Sequence, residues 1–153
     1  MDLVLFRPEI AQNAGAATRA AACFEAGLHI IEPCGFPLDA RGFRRAALDY
    51  GLLAPPVRHA SWRAFEKSEA RAGRRLILLT TKAAASIWSF DFADTDLIMV
   101  GQESAGAPDE VHAACDASLR IPIAPAARSL NAATAAAIAL AAARRPLPDE
   151  RIP

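Results

Sequence analysis

The chain of 153 residues is 53% hydrophobic, and its 17 basic and 17 acidic side chains cancel to a net charge of zero. That length suits one domain with a proper core. No apolar run reaches the ~18 residues of a membrane span, and neutrality argues against a general polycationic nucleic-acid binder.

In chain order, MDLVLFRPEI enters a strand pattern at once, without a basic segment or cleavage site for export, so a cytoplasmic location is expected. Leu3 to Phe6 reads as the first strand, ended by Pro8. Asn13 is the expected cap of a helix over Ala14 to Ala26, with Gly27 just past its end. Leu28 to Ile31 is the second strand, which completes a βαβ unit with a right-handed crossover. After a turn from Cys34 to Leu38, a helix is expected from Arg41 to Leu48, with Arg41, Arg44 and Arg45 on one face. A weak strand at Val57 to His59 precedes an amphipathic helix from Trp62 to Ala72, with Trp62 and Phe65 turned inward. Leu76 to Thr80 and Leu97 to Val100 are buried strands. Pro108 to Cys115 reads as a helix with acids in its first turn, as the macrodipole prefers.

The last stretch begins as a strand, Leu119 to Ile123, which Pro122 and Pro125 stop because neither can donate to a ladder. A polar cluster follows, then an alanine-rich helix capped by Ser129 or Asn131 and closed by Arg144, Arg145 and Pro146. A proline-broken loop feeding a helix leaves backbone groups open to a ligand. The elements together describe a single domain over residues 1–153. It is an α/β layer structure with a mostly parallel sheet of about five or six strands and helices on both faces.

Charge is segregated along this framework. Ten basic residues fall between Arg41 and Lys82 against three acids, and seven acids fall between Asp91 and Asp116 with no Lys or Arg. That separation suits one face for a polyanion. Cys23, Cys34 and Cys115 are odd in number and lack metal-ligand spacing, so they read as reduced core residues and no metal is expected. A dinucleotide fold is disfavoured, since the first strand–helix turn has no G-x-G-x-x-G, and no P-loop is present. His29, His59 and His112 are scattered outside any motif and read as surface or satisfied core residues. Ligands of such sheets sit beyond the carboxyl ends of the strands. Three of those ends carry polar, small-residue loops, namely 79–82, 101–106 and 121–131.

These loops, with Asn13, Gly15 and Arg19, resemble the SPOUT class of S-adenosylmethionine-dependent RNA methyltransferases. The quoted motifs are Asn13-x-Gly15 followed by Arg19, then Gly101-x-Glu103-x-x-Gly106, then Ile121-Pro122 with Ser129-Leu130-Asn131 opening a helix. The stretches LHIIEPCGFPLD, RRAALDY, RHASWRAF and LTTK are further similar to the small single-domain tRNA wobble-nucleotide 2′-O-methyltransferases. That similarity runs from Leu3 to about Arg145. It implies methylation of the ribose of nucleotide 34, C or U, in leucine tRNAs, by a homodimer without a separate RNA-binding domain. It also implies a C-terminal trefoil knot, which general rules of topology would exclude.

By the same resemblance, Leu79, Gly101, Glu103, Ile121, Ser129 and Leu130 hold S-adenosylmethionine. Arg41, Arg44, Arg45 and Asn131 contact tRNA, the arginines reaching the pocket of a partner subunit. Arg19 is the implied catalytic residue. Free arginine is almost always protonated, so a charged fork that holds phosphate and steadies developing alkoxide charge is the preferred role. Asn13 orients Arg19 or the ribose, or simply caps its helix. Glu103 is either a pocket acid or a cap. Relatives often carry an aromatic near position 141, where this chain has Ala141. No membrane partner is expected. Methylation of ribosomal RNA, or RNA binding without catalysis, are the alternatives.

Overall fold

The computed structural model describes residues 1–53 and 55–144. Seven strands form one sheet: β1 (Asp2–Phe6), β2 (Gly27–Ile31), β3 (Val57–His59), β4 (Leu76–Leu79), β5 (Ala85–Ser86), β6 (Leu97–Val100) and β7 (Ala117–Arg120). Their order is β3-β2-β1-β6-β4-β7-β5, and every pairing is parallel. The count exceeds the expected five or six because β5 is a two-residue edge strand, too short to leave a periodic signal.

The helices are α1 (Ala11–Cys23), α2 (Arg41–Ala47), α3 (Tyr50–Leu53), α4 (Trp62–Glu66), α5 (Asp109–Ala114) and α6 (Ala132–Ala143). Strand side chains alternate between two cores, as a pleat requires. Leu3, Leu5, Leu28 and Ile30 pack under α1, α2 and α6 with Ala14, Ala17, Phe43, Ala136 and Leu140. Val4, Phe6, Leu76, Leu78, Leu97 and Met99 face the other way, against Trp62 and Phe65 of α4 and Val111 of α5. Both faces are therefore covered.

Four sequence expectations are corrected. Helix α1 begins at Ala11 rather than after Asn13, and Gly27 opens β2 instead of terminating α1. Helix α4 ends at Glu66, well short of Ala72. Strand β7 stops at Arg120, before the prolines. The cysteines are not core residues, since Cys23 is exposed and the other two are half-buried. Of the two candidate caps for α6, Asn131 is the one used: its side-chain oxygen accepts from the N–H groups of Ala133 and Thr134. Arg145 and Pro146, expected to close that helix, lie outside the described residues.

Glycine matters most at Gly15. A Cβ there would lie 2.5 Å from the Phe43 carbonyl oxygen and 2.8 Å from Ala46 Cβ. The bare backbone is what lets α2, with its three arginines, seat directly on α1.

Candidate active site

The carboxyl ends of β4, β6 and β7 open on a cleft of about 580 Å³, within the usual range for small-molecule sites. Apolar side chains from the strand ends and following loops, Leu79, Val100, Ile121, Ile123 and Leu130, line it together with Thr80, Ser129 and the 101–106 loop. Residues Ile10 and Asn13, at the start of α1, form the remaining side.

The 101–106 loop is a tight hairpin. Gln102 N–H donates to the Gly106 carbonyl at 2.8 Å, and Gly106 N–H donates back to Gln102 at 2.9 Å. Gly106 sits at φ +70°, a left-handed conformation that favours glycine. A Cβ on Gly101 would come within 2.5 Å of the Gly106 carbonyl carbon. Both glycines are thus required by backbone geometry, and together they bring main chain to the cleft wall.

Three distant segments are tied by a chain of hydrogen bonds that all run in one sense. The first-turn N–H groups of α6 donate to Asn131 Oδ1. Asn131 Nδ2 donates to Asn13 Oδ1 at 2.8 Å, and Asn13 Nδ2 donates to Glu103 Oε1 at 3.1 Å. The other Glu103 oxygen accepts from Glu9 N–H at 2.8 Å. Glu9 reciprocates by accepting from the Ser104 backbone N–H and hydroxyl, which pull its carboxyl below the ordinary range. Aligned donors of this kind polarise one another and strengthen the chain. Glu103 is therefore a clip between the loop and the start of α1, and Asn13 links the clip to α6.

The structure brings most of the expected site together. Leu79, Gly101, Glu103, Ile121, Ser129 and Leu130 all line the cleft, as do Asn13 and Asn131. Arg19 does not. It is exposed on the far part of α1, its guanidinium 5.7 Å from the centre of the Tyr50 ring. Arg41, Arg44 and Arg45 are exposed on α2 and also lie outside the cleft lining. Two cations without an expected role do line it, Lys82 and Arg128, along with His112. Their signal was present in the sequence, in LTTK and in the polar cluster before α6, but nothing in spacing gives such residues a direction.

Two of the three histidines meet. His29 Nδ1 lies 3.0 Å from His59 Nε2 inside the protein, and His29 Nε2 lies 3.3 Å from an Asp2 carboxylate oxygen. They are satisfied core residues, as the sequence reading favours. Burial, and then the neighbouring His29, push the His59 pKa down. The hydrogen bond from His29, opposed by burial and aided by Arg74, holds Asp2 well below the carboxylate range. Burial pushes the Cys34 and Cys115 thiols up, to about 11 and about 12, which leaves them unreactive at neutral pH. Among the described residues, no group of three His, Cys, Asp or Glu side chains could hold a metal ion, and no helix is long and apolar enough to cross a membrane.

The cleft fits a nucleoside-sized cofactor on its own features. Apolar strand ends offer surface to a flat ring, and the tight Gly101–Gly106 hairpin brings main chain to the cleft wall, with a Cβ on Gly101 excluded by the Gly106 carbonyl carbon. Comparisons with known proteins agree. The model of the SpoU rRNA Methylase family matches residues 1–141. A tRNA (cytidine(34)-2′-O)-methyltransferase from Ancylobacter novellus is 50% identical over 145 residues, covering 95% of this chain and 92% of that protein. A solved structure described as giving insights into 2′-OH methylation of C/U34 on tRNA superposes with a TM-score of 0.89 at 39% identity, covering 94% of this chain and 93% of the other. The SpoU methyltransferase AviRb from Streptomyces viridochromogenes, in complex with AdoMet, gives a TM-score of 0.85 at 28% identity, covering 95% of this chain and 59% of that one.

Proposed function

The chain belongs to the SpoU rRNA methylase family, and from that premise we propose that it methylates the ribose 2′-oxygen of the wobble nucleotide, C or U at position 34, of tRNA. S-adenosylmethionine is the donor. The observation that carries this reading is the clip of Asn13, Glu103 and Asn131, which draws three separate motif segments around one apolar cleft at the strand ends.

S-adenosylmethionine, when bound, supplies a methyl group already activated by a positive sulfur. The protein's contribution is accordingly orientation more than chemical activation. Leu79, Ile121 and Leu130 would enclose the cofactor's adenine, and backbone at Gly101 and Ser129 would meet the polar edge. The clip fixes the spacing between these walls. The residues of the cleft would hold the ribose hydroxyl facing that methyl group; as the C–O bond forms and the C–S bond breaks, the hydroxyl proton would pass to water and the sulfur would depart as a neutral thioether.

Arg19 then holds phosphate and steadies the charge growing on the ribose oxygen. It lies outside the cleft of its own chain, so this role belongs to a homodimer in which α1 of one subunit serves the cleft of the other. Arg41, Arg44 and Arg45 extend the same face toward the anticodon arm. The alanine surface of α6, with Ala141 exposed, permits close helix contact between subunits without the aromatic that relatives carry nearby. A trefoil knot is in keeping with the way residues 121–131 and the loops after β4 and β6 line one cleft before α6 returns to α1. Leucine tRNAs are the proposed substrates, in the cytoplasm.

Mass-spectrometric mapping of ribose methylation in tRNA from a deletion strain tests this reading. Loss of the 2′-O-methyl group at position 34, restored by the gene on a plasmid, is the expected result. Unchanged methylation at that position would refute it.

A further inference from the structure

The cleft carries two cations that its clip does not pair. Besides His112, its titratable lining side chains are Lys82, Glu103 and Arg128. Both oxygens of Glu103 are engaged by the Glu9 N–H and the Asn13 amide. Among the described residues, neither the Lys82 ammonium nor the Arg128 guanidinium has an ion-pair or hydrogen-bond partner, and both are exposed. Their loops leave adjacent strands: β4 and β7 pair directly, with Leu79 opposite Leu119. The backbone beside each is held, since Lys82 N–H donates to Thr80 Oγ1 at 3.3 Å and Ala127 N–H closes a turn on Ala124 at 2.9 Å. Two cations thus stand on neighbouring loops above the same apolar floor.

S-adenosylmethionine sharpens the problem, because its sulfonium and ammonium outweigh its single carboxylate. The Glu103 carboxylate offsets one of the two lining cations, and the cofactor's own net positive charge restores the excess, so the filled cleft favours an anion entering with it. A ribose presenting its 2′-hydroxyl to the cleft brings that anion, since phosphates flank the sugar. We propose that Lys82 and Arg128 grip the backbone phosphates flanking the methylated ribose, and so position the hydroxyl at the mouth of the cleft. The α2 arginines, outside the cleft lining, act further along the RNA. This inference rests on the methyltransferase reading. The competing occupant is the carboxylate of the cofactor itself, which the same two side chains would suit.

The test uses the full chain with Lys82→Ala, Arg128→Ala, the double variant and Arg128→Lys. Cofactor affinity is measured by calorimetry. RNA affinity for an anticodon stem–loop is measured across salt concentrations, and KM and kcat are followed by methyl transfer. Each alanine change is expected to weaken RNA binding about 2- to 5-fold and to flatten the log–log salt slope by about 0.7, as loss of one contact to single-stranded backbone should. KM should rise accordingly, and cofactor affinity should stay within about twofold of the unaltered protein. Arg128→Lys should restore the slope, because charge and not shape sets it. An unchanged salt slope in the double variant overturns the inference. So does a cofactor affinity that falls with RNA binding intact, which assigns the pair to the cofactor carboxylate. If the unaltered protein binds cofactor and RNA but transfers no methyl group, the methyltransferase reading itself fails and takes the inference with it.

Discussion

Replacing Glu103 with Gln changes one atom and should disrupt the clip. Glu103 accepts from a backbone N–H at 2.8 Å through one oxygen and from the Asn13 amide at 3.1 Å through the other. Glutamine offers only one acceptor, so its own NH₂ must face a donor on one side. A hydrogen bond to a charged group is worth about 1.5–3 kcal/mol, and because this one is only partly buried the loss here is reduced to about 1–2 kcal/mol. For a chain of this size that corresponds to a fall in Tm of about 2–8 °C. If the clip sets the spacing of the cleft walls, a comparable loss in cofactor binding would weaken Kd roughly 5- to 30-fold. Thermal denaturation and calorimetric titration with S-adenosylmethionine read the two effects separately. Glu103→Asp, too short to reach both donors, should behave similarly. A Glu103→Gln protein with unchanged Tm and with cofactor affinity within twofold of the original would refute the clip.

Other expectations follow from equally local features. Gly101→Ala places a methyl group 2.5 Å from the Gly106 carbonyl carbon. It should cost about 1–3 kcal/mol in stability and abolish measurable cofactor binding, checked by denaturation and calorimetry. Arg19→Ala should lower kcat at least about tenfold, the value of roughly one charge-assisted contact, while leaving cofactor Kd intact. Full activity would remove Arg19 from the site. The Arg41/Arg44/Arg45 triple alanine variant should instead raise the tRNA KM at near-normal kcat, and its gel-filtration volume would report any change in assembly. Stability should also fall with acid. The His59 pKa is lowered on folding, so the unfolded chain binds the proton more readily. The contribution is complete above the ordinary histidine value of about 6.5 and is lost as pH drops below it. The lowered pKa of Asp2 acts in the same direction at lower pH, below the ordinary carboxylate range. Tm measured from pH 7.5 down to 5 should decline, and His59→Gln should flatten that decline.

Much of this protein was legible along the chain. Runs such as Leu76 to Leu79 and Leu97 to Val100 read as buried strands from their apolar continuity, whereas their parallel pairing has no helix between them to announce it, only β5 and a short helical turn at Ile87–Ser89. The glycines of the 101–106 loop were readable through the motif that carries the resemblance, and the backbone accounts for them, since Gly106 sits at φ +70° and a Cβ on Gly101 would meet the Gly106 carbonyl carbon. Local rules failed where a distant partner outbid a local one. Asn13 looks like a helix cap, yet its amide is drawn to Glu103 and Asn131, 90 and 118 residues away, and α1 starts before it. His29 and His59 are unrelated in sequence and become neighbours only because β2 pairs with β3.

What the sequence alone determined was therefore every strand but β5, the covering of the sheet on both faces and, through the resemblance, the identity of the motif residues. The strands and their burial depend on hydrophobic period and on conformational limits of single residues, which are properties of short segments. Only the tertiary structure decided that Glu103 is a clip, that Asn131 serves α6 and Asn13 together, and that Lys82 and Arg128 face the cleft while Arg19 does not. Those facts depend on which strand ends lie side by side, and strand order is set by the packing of the whole sheet.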